Sequence, residues 1–311
     1  MSTVVESNVR LYKHEGLEFS EMLLPKIGID CCVLFIPGMS HSEKFFRNMM
    51  QSLALNHGIP SRAVSLEGHG GSDLLGGRTS INQVSPSDYH ENIINAIEHC
   101  AQDYGKVVVF SHSLSGEYVY DIVYPEESRL PEGCIGLHYC APVSPAGVLK
   151  SATKALLHDA VTSRPLTPLD FGLKLALGDI EGFMKNDPQR TADLFATSRN
   201  SGEYRFVGIS PKEFCDEYLF AESRQAVINM LLPSPVTPRK INIPSMVSVS
   251  TDDKVMDFED HIDMVHDANS HGDYAMHLKV RSNLCHEMPM DRDYEKVVTD
   301  LVELVRRAVS V

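Results

Sequence analysis

The chain of 311 residues lacks the features of several specialised protein classes. No stretch approaches the roughly 18 apolar residues that a helix needs to span a bilayer, and residues 1–10 contain no apolar segment typical of a signal peptide. Positive charge is scarce, because 28 Lys and Arg residues stand against 42 Asp and Glu residues and give a net charge of −14. Nucleic acids and anionic membranes repel a negative surface, so we expect neither as a partner.

Cysteine spacings that would indicate a special site are also absent. The seven cysteines are scattered, and no Cys-x-x-Cys pair or zinc-like spacing occurs among them. The sequence therefore indicates neither a disulfide framework nor a structural metal. Most of the cysteines lie in apolar runs, where a thiol behaves as a small hydrophobic group. We expect a reduced, cytoplasmic protein.

What the sequence does contain is an alternation of short apolar strands and helical patterns. This alternation is typical of an α/β fold in which helices cover both faces of a mostly parallel, doubly wound sheet. The predicted strands are residues 9–13 and 17–24, which open the chain as an antiparallel pair, then 31–36, 61–66, a strand from Val107, 135–141, 245–250 and 275–280.

Helices are predicted between these strands. The clearest begins after Ser85, which suits an N-cap, with Pro86 at the first helical position and Asp88 completing a capping box. The other helices of the alternating part are residues 43–55, a helix through Tyr118, residues 258–268 and residues 292–309.

The alternation stops between about Pro142 and Ile243. This stretch carries helical patterns at residues 147–160, 169–184 and 213–232 but no convincing buried strand. We therefore predict one α/β core, formed by residues 1–142 and 243–311, with a helical cap of residues 143–242 inserted into it.

One predicted strand ends in a serine between small residues. Residues 107–116 read Val-Val-Val-Phe-Ser-His-Ser-Leu-Ser-Gly, with Ser113 at the centre of the turn and Ser111 and Ser115 two residues to either side. A strand-to-helix turn of the form small-x-Ser-x-small holds a serine hydroxyl above the edge of a sheet, because larger flanking side chains would collide with the backbone. The pattern also occurs in turns without catalytic function, so the rest of the chain decides its meaning.

A nucleophilic serine needs a base, and the base needs an acid to orient it. Two candidate acids, Asp252 and Asp253, follow the strand at residues 245–250, and His286 follows the strand at residues 275–280. Parallel strands end at one edge of a sheet, so these side chains are expected near Ser113. The order along the chain is serine, acid, histidine.

These motifs resemble those of the α/β-hydrolase superfamily over nearly the whole chain. Residues 111–116 are similar to the family's nucleophile elbow, with serine in place of both flanking glycines, and residues 66–73 are similar to its Gly-His-Gly-x-Ser loop. Residues 250–255 resemble the Gly-x-x-Asp-x-x-Val acid loop, and residues 285–290 resemble the terminal histidine segment. The resemblance implies a triad of Ser113, Asp253 and His286, since its register favours Asp253 over Asp252.

The resemblance also implies an oxyanion hole made of two backbone amides. One amide belongs to Leu114, directly after the nucleophile, and the other to Met39, in the loop after residues 31–36. The family often has His-Gly where this chain has Pro37 and Gly38. This departure leaves the backbone donor intact but removes any support from a histidine side chain.

Other residues near these motifs are expected to have structural roles. We expect loop packing for His69 and His112, a loop or capping role for Ser40 and His41, and solvent exposure for Glu287. Apolar residues of the insertion could line a pocket, but their helical spacing is equally typical of core positions, so none is assigned to the site: Met184, Phe195, Phe214, Tyr218 and Leu219.

The resemblance implies a serine hydrolase that cleaves an ester-like bond of a small molecule through an acyl-enzyme, with no cofactor or metal. Dehalogenases and epoxide hydrolases of the superfamily carry aspartate at the elbow, so Ser113 argues against their chemistry. The same triad serves thioesterases, lactonases, carbon–carbon hydrolases and hydroxynitrile lyases, and these alternatives stay open. So do two further classes, a small-molecule receptor with little turnover and an interaction module. The sequence indicates neither the substrate nor the oligomeric state.

Overall fold

A computed structural model describes residues 9–22, 31–123, 128–144, 147, 184–232, 243–271 and 275–310. Its centre is one sheet of eight strands, in the order β1-β2-β4-β3-β5-β6-β7-β8. The strands are β1 Val9–His14, β2 Leu17–Met22, β3 Cys32–Ile36, β4 Ser61–Val64, β5 Val107–His112, β6 Cys134–Cys140, β7 Ser245–Ser250 and β8 Met276–Arg281.

The sheet is mostly parallel, which confirms the predicted fold class. Only β1 with β2 and β2 with β4 pair antiparallel, and the other neighbours run parallel. Strands β3, β4, β5 and β7 are buried along their whole length. Such burial explains their apolar runs, because helices cover both faces of a parallel sheet. The carboxyl ends of β3, β5, β7 and β8 therefore meet at one edge.

Eight α-helices lie in the described ranges: α1 Arg47–Ser52, α2 Pro86–Tyr104, α3 Leu114–Val123, α4 Pro188–Phe195, α5 Pro211–Tyr218, α6 Arg224–Leu231, α7 Phe258–His271 and α8 Glu295–Ser310. The start of α2 has the expected capping box, in which the Ser85 side chain accepts from the Asp88 amide and the Asp88 carboxylate accepts from the Ser85 amide. None of the helices in these ranges has the length and apolar character needed to cross a bilayer.

Two predicted helices differ from the observed ones. Residues 43–55 form a 3₁₀ turn, α1 and a π-helical turn Leu53–His57 that ends at Gly58, whose φ is 65°. The pattern at residues 213–232 forms two helices, α5 and α6, instead of one. The break arises because Ser223 caps α6 by accepting from the Ala226 amide, while Glu222 just before it turns into the interior.

Most of the other two helical patterns of the insertion lie outside the described residues. The described part of the insertion contacts the core through a buried ion pair, in which Arg205 donates two hydrogen bonds to Asp291 at 3.1 and 3.0 Å. A core of residues 1–142 and 243–311 with a cap of residues 143–242 remains our proposal for the domain organisation.

Candidate active site

Ser113 lies at the sharp turn between β5 and α3. Its φ is 53°, a left-handed conformation that residues with a side chain rarely adopt. The Ser113 amide donates to the Cys140 carbonyl at 3.0 Å, which ties the turn to the end of β6. The opposite side is closed by Gly38, where a Cβ atom would lie 2.8 Å from the Ser113 Cβ. The turn therefore depends on a glycine in the neighbouring loop.

The flanking serines contribute differently to this turn. The Ser115 hydroxyl accepts from the His112 amide at 2.9 Å and lies 2.9 Å from the carbonyl oxygens of Ile36 and His112. Small size alone therefore does not account for Ser115, because its hydroxyl links β3 to β5 next to Ser113. Ser111 makes one long contact, 3.4 Å from its Oγ to the His138 carbonyl oxygen.

A continuous chain of hydrogen bonds joins the three residues of the predicted triad. His286 Nε2 lies 3.0 Å from Ser113 Oγ, and His286 Nδ1 lies 2.8 Å from Asp253 Oδ2. The other carboxylate oxygen, Asp253 Oδ1, accepts from the amides of Val255 and Met256 at 2.7 and 2.9 Å. The three side chains come from the ends of β5, β7 and β8 and meet at one edge of the sheet.

The environment favours the charged carboxylate and a basic imidazole. Burial acts to raise the pKa of Asp253, but His286 and the two backbone amides outweigh it, so the pKa lies below its ordinary value. Burial acts to lower the pKa of His286, but Asp253 outweighs it, so this pKa lies above its ordinary value. An imidazole next to a fixed carboxylate is suited to accept a proton from a neighbouring hydroxyl.

Asp252 points away from this chain of hydrogen bonds. Its carboxylate accepts from the Ser198 hydroxyl at 2.8 Å and from the Asn283 amide at 2.9 Å. It therefore joins the insertion to the loop after β8. Of the two adjacent aspartates, the structure brings Asp253 to His286, which is the choice that the register favours.

The two expected oxyanion amides belong to two segments next to Ser113, the start of α3 and the loop after β3. Leu114 is the first residue of α3, and amides in the first turn of a helix have no partner inside the helix. Met39 lies in the loop after β3. The insertion fixes the next residue, Ser40, at both backbone groups: the Ser40 amide donates to Glu222 at 2.9 Å, and the Phe220 amide donates to the Ser40 carbonyl at 2.8 Å.

A cavity opens beside Ser113. It includes three of the five insertion residues considered from sequence, and its described lining consists of Met39, His41, His112, Ser113, Met184, Phe195, Leu219 and Glu287. The other two candidates are not among these lining residues: Phe214 packs against Phe206 at a ring separation of 5.1 Å and Tyr218 against Phe214 at 6.4 Å.

The expectation that Glu287 faces solvent is wrong. The residue is 2% exposed, and its Oε2 lies 3.3 Å from His41 Nε2 and 3.5 Å from His112 Nε2. The chain turns back at once after His286, because the Met288 amide donates to the His286 carbonyl at 2.8 Å, and this tight turn directs Glu287 inward. In the sequence, only its position next to His286 could have indicated that Glu287 belongs to the site. A loop has no periodicity that shows which way a side chain points.

The surroundings of Glu287 and His112 shift the pKa of both groups. Burial acts to raise the pKa of Glu287, but His41 and His112 outweigh it and lower the pKa to about 2. Burial lowers the pKa of His112 to about 4. At neutral pH the Glu287 carboxylate is therefore ionised and the His112 imidazole next to it is neutral. Sequence reasoning missed His41 and Glu287 as residues of the site.

His69 contacts the insertion and not the triad. Its Nε2 lies 3.2 Å from Glu222 Oε2, and the Tyr89 hydroxyl donates to Glu222 Oε1 at 2.8 Å. Burial acts to lower the pKa of His69, but the Glu222 carboxylate outweighs it and raises the pKa above its ordinary value. These contacts connect the core loops with the segment that fixes Ser40. Across the described ranges, no group of three or more His, Cys, Asp or Glu side chains is arranged to hold a metal ion.

Comparisons with known proteins agree with this fold. Residues 33–300 match the model of the alpha/beta hydrolase family, whereas no curated protein matches the chain. Among solved structures, a putative aryl esterase from Burkholderia cenocepacia superposes with a TM-score of 0.68 at 14% identity, covering 97% of this chain and 100% of that one.

Two further solved structures show the same likeness. A monoglyceride lipase from Saccharomyces cerevisiae has a TM-score of 0.64 at 15% identity, covering 99% of this chain and 98% of the lipase. An epoxide hydrolase from Vigna radiata has a TM-score of 0.65 at 16% identity, covering 97% of this chain and 99% of the hydrolase. At such low identities the likeness shows the fold alone.

Proposed function

This chain belongs to the α/β hydrolase family, and we propose that it is a serine hydrolase that cleaves an ester-like bond of a small molecule through an acyl-enzyme. The observation that carries the proposal is the hydrogen-bond chain from Ser113 Oγ through His286 to Asp253, with links of 3.0 and 2.8 Å. Serine, histidine and aspartate in this arrangement are the parts that activate a serine hydroxyl.

In the proposed first step, Ser113 Oγ attacks the carbonyl carbon of the substrate while His286 Nε2 takes its proton. Asp253 keeps the hydrogen of the neutral imidazole on Nδ1, so that Nε2 is free to accept, and it stabilises the imidazolium that forms. His286 then gives the proton to the departing alcohol oxygen. The alcohol leaves, and the acyl group remains on Ser113 as an ester.

In the second step, water replaces the alcohol. His286 takes a proton from the water as it attacks the acyl carbon, and returns this proton to Ser113 Oγ when the acid departs. In both steps a negative charge develops on the carbonyl oxygen. We assign its stabilisation to the amides of Met39 and Leu114, which border the turn that holds Ser113.

The identity of the nucleophile separates this proposal from the activity named for one of the similar structures. The Vigna radiata protein is an epoxide hydrolase, but the elbow of this chain carries Ser113, and a serine suits acyl transfer. The names of two other similar structures, an aryl esterase and a monoglyceride lipase, agree with ester cleavage.

Ester hydrolysis with single substitutions tests the proposal. We expect the purified protein to release p-nitrophenol from esters of short acids, and Ser113→Ala to lower kcat/KM by about 10³-fold or more. Ser111→Ala makes the same change two residues upstream and is expected to keep kcat/KM within about tenfold of the wild type. Full activity of Ser113→Ala would exclude this nucleophile, and a lack of turnover of any ester or thioester would exclude the hydrolase.

A further inference from the structure

The imidazole of His41 is an unexplained polar group next to the nucleophile. It is 2% exposed and lines the same cavity as Ser113. Its Nε2 faces Glu287 Oε2 at 3.3 Å without forming a hydrogen bond, and its Nδ1 likewise has no hydrogen-bond partner among the residues that the structure describes. Leaving a buried polar atom unpaired costs free energy, so buried polar atoms without a protein partner need an explanation.

The ring of His41 is held in place from several sides. The Phe45 ring packs against it with centroids 4.3 Å apart, and the Phe214 ring meets it edge-on at 6.1 Å. The Glu287 carboxylate faces Nε2. An ionised carboxylate only accepts hydrogen bonds, so its position opposite Nε2 favours the tautomer with the hydrogen on Nε2. Nδ1 is then an acceptor when the ring is neutral and a donor when the ring is charged.

The cavity and the chemistry of Nδ1 together select one kind of ligand group. A hydroxyl both donates and accepts, so it pairs with Nδ1 in either protonation state of His41. The cavity has a volume of about 20 Å³, and a group the size of one water molecule needs at least about 10–15 Å³. A methyl group of similar size would fill the space but leave Nδ1 unpaired.

We propose that His41, oriented by Glu287, binds a hydroxyl group of the substrate close to the scissile carbonyl, so that hydroxylated esters are the preferred substrates. This inference rests on the proposed serine hydrolase activity and specifies its substrate class. Within it, His41 touches the substrate, whereas Glu287 acts through His41 as a positioning residue.

Matched pairs of esters that differ by a hydroxyl in place of a methyl group test the proposal. Two pairs place the hydroxyl in the acyl half: ethyl lactate against ethyl isobutyrate, and ethyl 3-hydroxybutanoate against ethyl 3-methylbutanoate. A third pair places it in the alcohol half: 2-hydroxyethyl butanoate against propyl butanoate. For each ester, kcat/KM is measured by titrating the acid released and is divided by the rate constant of hydrolysis by hydroxide, which corrects for intrinsic reactivity.

We expect the wild type to prefer the hydroxylated ester by about tenfold or more in at least one pair, because an unpaired buried group costs about as much as a tenfold change in affinity. The pair concerned identifies the half of the substrate that carries the hydroxyl. His41→Leu removes both nitrogens and should abolish the preference. Phe45→Leu disturbs the packing around His41 but keeps its nitrogens, so it should retain the preference.

Glu287→Gln tests the positioning role with a different readout. The amide keeps the shape of the side chain but removes the charge that favours the hydrogen on His41 Nε2, so the ratio of kcat/KM between the hydroxylated and the methyl ester of a pair should shrink toward one. A wild type without preference in all three pairs overturns the proposal, and so does an equal preference in His41→Leu. The wild-type comparison decides even if a variant fails to fold.

Binding separates this inference from the proposed activity. With Ser113→Ala, calorimetry on the same three pairs measures affinity without turnover, and we expect the hydroxylated ester of one pair to bind about tenfold more tightly. If the serine hydrolase proposal fails but this difference in affinity is found, the proposed hydroxyl-binding site remains supported. Equal affinities in all pairs would exclude that site, whatever the activity.

Discussion

Replacing Asp253 by asparagine reverses the direction of one hydrogen bond in the proposed triad, while the side chain keeps its size and shape. Asp253 Oδ1 accepts from the amides of Val255 and Met256 at 2.7 and 2.9 Å. An asparagine keeps these bonds only if its carbonyl oxygen takes the place of Oδ1, which turns its NH₂ group toward His286 Nδ1. The reverse orientation would set the NH₂ against two backbone amides and lose two buried hydrogen bonds, at about 1–3 kcal/mol each.

With the NH₂ group facing it, His286 accepts at Nδ1 and carries its hydrogen on Nε2. Nε2 lies 3.0 Å from Ser113 Oγ, and in this tautomer it has no lone pair for the serine proton. Such a change of the orienting carboxylate to an amide costs about 10⁴-fold in kcat in a well-characterised serine protease. We expect a loss of that order for Asp253→Asn, measured as p-nitrophenyl butanoate hydrolysis at pH 8.

Asp252→Asn is the matched control, because it makes the same chemical change one residue away. Asp252 accepts from Ser198 and Asn283 and does not contact His286. We expect its kcat to stay within about tenfold of the wild type, while the free energy of unfolding falls by about 1–3 kcal/mol. A folded Asp253→Asn with kcat within tenfold of the wild type would exclude this role of Asp253, as would an equal loss in both variants.

Three further outcomes are expected. The pKa of His286 is raised above its ordinary value by Asp253, so kcat/KM should fall as pH drops through a midpoint above about 6.5. A midpoint well below this value in a pH profile would contradict the assignment of His286 as the base. Burial raises the pKa of Glu117 to about 9, so the folded state holds a proton that the unfolded chain releases, and stability decreases as pH rises from about 4.5 to about 9. Glu117→Gln should therefore raise the free energy of unfolding at pH 7.5 by up to about 4 kcal/mol, and denaturant curves unchanged by this substitution would contradict a protonated Glu117 in the native state. Gly38→Ala places a Cβ atom 2.8 Å from both Ser113 Cβ and the His112 carbonyl oxygen and should lower kcat/KM on the order of a hundredfold, whereas unaltered kinetics would mean that the turn tolerates the added atom.

The sheet and the order of the chemistry-bearing residues followed from local sequence. The strands before Ser113, Asp253 and His286 have strong apolar runs, and parallel strands bring their carboxyl ends to one edge. The strand bounds differ from the observed ones by a few residues, as with β4, which ends at Val64 instead of Leu66. The fold class could be predicted because it depends on these runs and not on their ends.

The polar surroundings of the site could not be predicted in the same way. Glu287 is buried because a tight turn after His286 directs it toward two histidines that are distant in sequence. Glu222 is buried because it accepts from Ser40 and Tyr89, whose backbone and side chain come from other parts of the fold. Partners of this kind are known only once the chain is folded, and a charged residue in a loop is otherwise expected in solvent.

Covalent labelling identifies the nucleophile without requiring the substrate to be known. The wild-type protein is treated with a fluorophosphonate probe, digested, and its peptides are mapped by mass spectrometry, with Ser113→Ala treated in parallel. We predict one phosphonylated residue, Ser113, in the wild type and no adduct in Ser113→Ala. An unlabelled, folded wild type, or an adduct on another serine that persists in Ser113→Ala, would exclude Ser113 as the nucleophile.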